Sequence, residues 1–175
     1  IFKTASEVSQ GSYPEIWAIA KTCAERLMID VPKVFVRNAP NKMEIYSISA
    51  ENTSPVIVLT SGLCEKCTKD ELSYLIGCEC GHIQNNHCIY YQAAPSFGII
   101  MDSEVVNPVT DNGKQLASVM MDWLTLSCVT ADRAGIICLD RPQDFSSVFV
   151  SLREKGLNDI YSRTGQIFDR NKAEK

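Results

Sequence analysis

One helix constrains this chain more than any other segment, and its start is legible from four residues. Thr68-Lys69-Asp70-Glu71 has the form of a capping box, with Thr68 as N-cap and Glu71 at the third helical position. Asp70 and Glu71 add negative charge to the first turn, where the helix dipole favours it. Leu72, Leu75, Ile76, Cys80 and Ile83 recur at three- and four-residue spacing and give the helix an apolar face. The polar run Gln84-Asn85-Asn86-His87 closes it, so the pattern predicts a helix over about 69–87. At about 100° per residue, Cys78 and His82 lie about 40° apart, while Cys80 lies about 200° from Cys78 and should point into the core. Gly81 costs roughly 1 kcal/mol in a helix interior relative to alanine, so another backbone is expected to pack closely against it.

Within this helix, Cys78-Glu79-Cys80-Gly81-His82 has the frame of H-E-x-x-H with a cysteine at the first position. In the standard motif two histidines one turn apart hold zinc, and the glutamate is the general base on the metal-bound water. Here the second imidazole and the carboxylate are intact, and another residue type that binds zinc stands first. Glu79 is therefore the candidate catalytic residue, and Cys78 and His82 are candidate ligands of one zinc ion.

The chain of 175 residues is long enough for one domain with a proper core. A net charge of −4 and the lack of a basic stripe argue against nucleic-acid binding. No stretch reaches the roughly 18 apolar residues that span a bilayer. There is no signal peptide, and the chain begins at Ile1, as an excised domain or processed product would. That leaves room for a membrane anchor outside these limits. Eight cysteines are below disulfide-scaffold density, and Cys23, Cys80 and Cys138 fall within apolar helical patterns. Free or metal-bound thiols in a reducing compartment are expected, in the cytoplasm or on the cytoplasmic face of a membrane.

Along the chain, residues 1–12 read as a polar lead-in. Pro14 opens a helix with Ile16, Ile19, Ala20, Cys23, Ala24 and Leu27 on one face, ended by Val31-Pro32. Lys33–Arg37 alternates as a strand, 45–49 is a weaker strand, and 55–60 is a short buried-strand run. A helical turn over 63–67 leads into the motif helix. Residues 88–113 show no period, and a connection of that length is often functional or mobile. A long helix is predicted over 114–138, another from Pro142 to Gly156, and a last amphipathic piece over 157–168. The order of helix, small sheet and then helices is an α+β layout.

Four segments in register resemble the catalytic domain of the HtpX and CAAX prenyl endopeptidase family of zinc metallopeptidases. They are Tyr13-Pro14-Glu15 through Val36, Val56 to Leu63 with its Ser-Gly-Leu turn, Asp70-Glu71-Leu72 with Cys78 to Ile83 and His87, and Thr130-Ala131-Asp132-Arg133-Ala134-Gly135. The resemblance covers about 13–155, leaving 156–175 as a C-terminal helix and tail of a single metallopeptidase-like domain. It implies a zincin-like fold that is mostly helical with a small β-sheet. It also implies an active-site helix at about 69–87 and a second ligand-bearing helix at about 114–138. In the family the third ligand is a glutamate four residues before the aspartate of the Ala-Asp-Arg segment, which here is Cys128. Asp132 takes the family's second-sphere role, orienting the imidazole of His82. The family's Asn-Ala-Phe segment near the edge strand is not kept; Asn41-Lys42-Met43 stands about there.

Two readings of the cysteines compete. In one, the ligands were lost and cysteine filled their places as a small apolar residue. In the other, Cys78, His82 and Cys128 form a Cys₂His zinc site, an attested catalytic set. Two thiolates would make the zinc a weaker Lewis acid than the usual ligands do. The implied function is zinc-dependent hydrolysis of peptide bonds in a peptide or protein substrate, with Glu79 as general base. The alternative is an inactive domain of the same fold that serves as a binding or structural module, with or without zinc. His87, about 140° around a continued helix from His82, reads as a helix-end residue, and Trp123 as core or cleft wall. Cys64-Glu65-Lys66-Cys67 has C-x-x-C spacing, but a Cys₄ site with Cys78 and Cys80 is disfavoured because those two face apart.

Overall fold

The computed structural model describes residues 5–49, 53–93 and 111–157. The elements run β1 (Ala5–Glu7), α1 (Pro14–Leu27), β2 (Lys33–Arg37), β3 (Ile45–Ile48), β4 (Val56–Thr60) and α2 (Ser61–Lys66). They continue with α3 (Lys69–Gln84), α4 (His87–Ala93), α5 (Asp111–Cys138), a 3₁₀ turn (Pro142–Asp144) and α6 (Phe145–Glu154). The fold is α+β, as the resemblance implies.

The strands form one four-stranded sheet in the order β1-β2-β4-β3. β2 and β4 are parallel, with Val34 opposite Ile57 and Val36 opposite Leu59. β1 and β3 flank them antiparallel. β2 buries Val34 and Val36 and alternates with a period of two, whereas β4 is buried continuously from Ile57 to Thr60, as a strand covered on both faces is. β1 lies in the stretch read from sequence as a polar lead-in. Only three residues long and mostly exposed, it pairs through its backbone and carries no apolar alternation.

Helix α1 buries Ile16, Ile19, Ala20, Cys23, Ala24 and Leu27, the face expected from the sequence. It ends at Leu27, earlier than Val31-Pro32, because Met28 turns into the left-handed region at φ 55°. Near that end, Arg26 reaches α5. Its Nη1 donates to the carbonyls of Cys138 and Leu139 at 2.7 Å, and its Nη2 bonds Asp140 at 2.8 Å. The last turn of α5 has no basic residue of its own, so α1 supplies the cation that the carbonyl end of a helix favours.

α3 sits at the centre, in contact with α1, α4, α5, α6 and β3. The capping box is present: Thr68 Oγ1 accepts from the Glu71 amide, and Glu71 Oε2 accepts from the Thr68 amide at 2.6 Å. α3 and α5 approach closely because the residues at their seam are small. A Cβ placed on Gly81 would lie 2.6 Å from Ala134 Cβ and 3.2 Å from Ala131 Cα, which is the close backbone approach Gly81 led us to expect. Cys80 is fully buried.

The long helix begins at Asp111, three residues before the expected start, and ends at Cys138 as expected. Part of the aperiodic stretch 88–113 is helical, as α4 shows; residues 94–110 lie outside those described. So does the amphipathic piece at 157–168, apart from Leu157. Gly156, at φ 75°, closes the α6 segment.

Candidate active site

α3 carries Cys78, Glu79 and His82. Glu79 and His82 are half-buried, while Cys78 is 4% exposed. The thiol of Cys78 faces the α3–α5 seam: a Cβ on Gly135 would lie 2.6 Å from its Sγ and 2.7 Å from Tyr74 Cδ2. Cys128, also buried, sits about two turns earlier on α5, roughly 10 Å along the axis from Gly135. Its Sγ is turned back along its own helix, 3.0 Å from the Leu124 carbonyl oxygen.

A zinc ion bound by two thiolates holds them within about 4 Å of each other, because each zinc–sulfur bond is about 2.3 Å. The chemistry of Cys78, His82 and Cys128 suits zinc, but their placement does not bring both thiols to one ion. Among the described residues, no group of three or more His, Cys, Asp or Glu side chains is placed to hold a metal. The donors do not fit the group as they stand.

The structure pairs the neighbouring groups differently from the sequence expectation. Asp132 Oδ1 accepts from the Tyr74 hydroxyl at 3.0 Å. Burial raises the pKa of Asp132, and the bond from Tyr74 offsets part of that rise. At His82, Nδ1 meets Nδ1 of His87 at 3.0 Å. Tyr74 is thus a partner of Asp132, and His87 is a partner of His82.

The His87 contact arises because the helix does not continue. α3 stops at Gln84, and Asn86 takes a left-handed conformation at φ 55°. Asparagine tolerates that region better than most residues. α4 then starts at His87 in a new direction, so the 140° offset of a continuous helix does not apply. Burial, and then the nearby His82, lower the His87 pKa to about 4. The adjacent asparagines were the sequence signal for this break.

The rings form a continuous series. His87 stands perpendicular to Trp123 of α5, at 89° with centroids 5.2 Å apart, and Tyr90 lies 4.8 Å from the same indole. Tyr90 is 49% exposed, so the series reaches from the half-buried His82 to the surface. Cys88 Sγ lies 3.2 Å from Ser47 Oγ, which ties α4 to the edge strand β3. Trp123 therefore forms part of a wall beside the motif histidine.

The remaining cysteines take the blander roles. Burial pushes the Cys64 thiol up to about 11 and the Cys67 thiol up to about 12, so both are protonated near neutral pH. Cys80 is raised as well, by burial first.

An α+β fold whose central helix presents Glu79 and His82 in the H-E-x-x-H frame defines a zincin-like metallopeptidase domain. The chain belongs to peptidase family M48, whose family model matches residues 13–153. It is 24% identical over 159 residues to the plastoglobule-localized metallopeptidase 48, chloroplastic, of Arabidopsis thaliana, across 85% of this chain and 43% of that protein. It is 32% identical over 83 residues to a protease HtpX homolog of Pediococcus pentosaceus, across 46% of this chain and 27% of that protein. A protease HtpX homolog of Moorella thermoacetica is 29% identical over 104 residues, across 59% and 34%. The chain spans less than half the length of these relatives. No solved structure matches. No helix among the described residues is long and apolar enough to cross a membrane.

Proposed function

We propose that this domain hydrolyses peptide bonds in a peptide or protein substrate, with Glu79 as the general base. What carries the reading is the retention of Glu79 within an M48 domain, half-buried on α3 and three residues before His82. A positioned carboxylate takes a proton from the attacking water and can return it to the leaving amine. The eight free thiols fit a reducing compartment, the cytoplasm or the cytoplasmic face of a membrane. An anchor elsewhere in the full-length protein belongs to the same proposal.

The test is hydrolysis of casein and of a broad peptide library by the full-length protein. Glu79→Gln is expected to lower turnover at least about 10²-fold, the lower range for removal of a general base, with metal content unchanged. Activity that survives this change would end the assignment of Glu79. Absence of any chelator-sensitive hydrolysis by wild type would leave the domain as a binding or structural module.

Zinc dependence, general in the family, is a proposal for this chain. One ion held by Cys78, His82 and Cys128 would require the two thiols to come together from positions about two turns apart along α5. Elemental analysis of the purified protein decides it. One zinc per chain that is lost in a Cys78→Ser/Cys128→Ser variant would mean that the two helices shift to bring the thiols together. Zinc retained in that variant would remove both thiols from the ligand set.

A further inference from the structure

We propose that Cys23 and Cys138 form a redox clasp, a dithiol that closes to a disulfide and fastens the end of α5 covalently to α1. The proposal does not depend on the peptidase reading, since neither residue lies on α3.

The two cysteines are 115 residues apart in sequence and meet where α1 packs on α5. Both are buried free thiols. Cys138 Sγ donates to the Cys23 carbonyl at 3.9 Å, and Cys23 Sγ donates to the Ser73 carbonyl at 3.6 Å. The thiols also interact with each other through a side-chain hydrogen bond. Thiols are weak donors, so little is lost when the side chains give up these long bonds and turn toward one another. Arg26, three residues after Cys23 on α1, donates to the Cys138 carbonyl at 2.7 Å and fixes the register of the two helices. With one sulfur 3.9 Å from the other residue's backbone, closure calls for side-chain rotation rather than helix movement.

The surroundings divide the labour. The hydrogen bond from Cys23 lowers the Cys138 pKa; burial opposes it, and the Arg26 guanidinium adds to it. The same bond, and then burial, raise the pKa of Cys23. Cys138 is the thiol that ionises first and attacks, and Cys23 is the one that resolves.

The oxidant is a peroxide, small enough to enter where a bulky disulfide is not. Cys138 is the last residue of α5, and Asp140, two residues on, is exposed. The Cys138 thiolate attacks one peroxide oxygen, the O–O bond breaks, and the departing hydroxide takes a proton and leaves as water. Cys138 is then a sulfenic acid. The Cys23 sulfur attacks the Cys138 sulfur, the S–O bond breaks, and the Cys23 proton leaves with the hydroxide as a second water. The two thiols lose two electrons between them, and the peroxide gains both. Thiol reductants reopen the clasp, so in a reducing compartment it closes only under peroxide.

The test treats the reduced, folded full-length protein with hydrogen peroxide, blocks the remaining thiols under denaturing conditions, and maps the digest by mass spectrometry. A peptide joining Cys23 to Cys138 is expected, abolished by dithiothreitol. A disulfide that closes so long a loop restricts the unfolded chain, so Tm should rise by roughly 5–10 °C on treatment. That rise should be absent from Cys23→Ala, in which Cys138 stops at the sulfenic acid and is trapped by dimedone. The wild-type map decides without any variant having to fold. Cys23 and Cys138 recovered unlinked from treated protein would overturn the proposal, as would a link from either of them to Cys80. A Cys23–Cys138 link that lowers Tm would mean that the helices must move to form it, and a rise that persists in Cys23→Ala would place its cause elsewhere; either result sinks the clasp. None of these readouts requires turnover, so a failed peptidase assay is a separate result.

Discussion

Lys155→Ala is expected to lower the stability of the domain by about 3 kcal/mol near neutral pH, the scale for leaving a buried charge without its partner. The partner is Glu71, a charged residue only 1% exposed. Its carboxylate accepts from the Thr68 amide at 2.6 Å, from Ser151 Oγ at 2.7 Å, and from Lys155 Nζ at 2.7 and 2.5 Å. The capping residue of α3 is thus also the anchor of α6. Burial alone would raise the Glu71 pKa, but the bonds from Lys155, Ser151 and Thr68 outweigh it and hold the group below the usual carboxylate value.

The sign of the pH effect follows. A carboxylate with a lowered folded pKa contributes stability above its unfolded pKa and loses it as pH falls through the folded value. Wild type should therefore weaken below about pH 4.5. Without Lys155 the burial effect is largely uncompensated, the folded pKa rises, and protonation relieves the buried charge. The deficit of the variant should shrink between pH 7 and pH 4. Urea titrations of both proteins at the two pH values check this; a deficit that grows on acidification would mean the ion pair does not stabilise the fold.

The second large effect is expected at Gly77. A Cβ there would stand 2.6 Å from Cys138 Cβ and 3.0 Å from Gly135 Cα. Alanine gains up to about 1 kcal/mol of helix propensity, but overpacking at such a site costs about 1–3 kcal/mol or more. Because one of the obstructing atoms is backbone, the helices themselves must separate. Gly77→Ala is expected to lose about 2 kcal/mol net, read from denaturant midpoints. Adding Cys138→Gly removes the nearer atom and should recover part of the loss. A Gly77→Ala protein as stable as wild type would mean that the seam can open at little cost.

These two sites mark where the sequence stopped being informative. The capping box, the apolar face of α1 and the alternation of β2 are local patterns, and each formed the element its pattern implied. A close backbone approach to α3 was legible from Gly81, because a helix-interior glycine needs a reason, but Gly81 did not name α5 as the partner. The partner of Glu71 lies 84 residues away, at the C-cap of α6, and nothing local to either residue names the other. Cys128 was placed by counting from a motif on its own helix, which says nothing of how far α5 is shifted along α3. Tyr74 met Asp132 for the same reason: the axial offset of two helices is set by seam packing. His87 was misplaced by extending a helix through two asparagines, one of which adopts the left-handed turn that ends it.

The anchoring of α5 by Arg26 has a consequence for chain continuity. The end of α5 is held by α1 through Arg26, and Asp140 is held by both Arg26 and Lys69. Beyond the 3₁₀ turn, α6 is held by Lys155 on Glu71. The peptide between Asp140 and Arg141 therefore joins two segments that are each fastened independently to the body of the domain. A single protease nick there breaks the chain without breaking any of these contacts. That makes this junction the natural place to divide the domain into two fragments that reassemble.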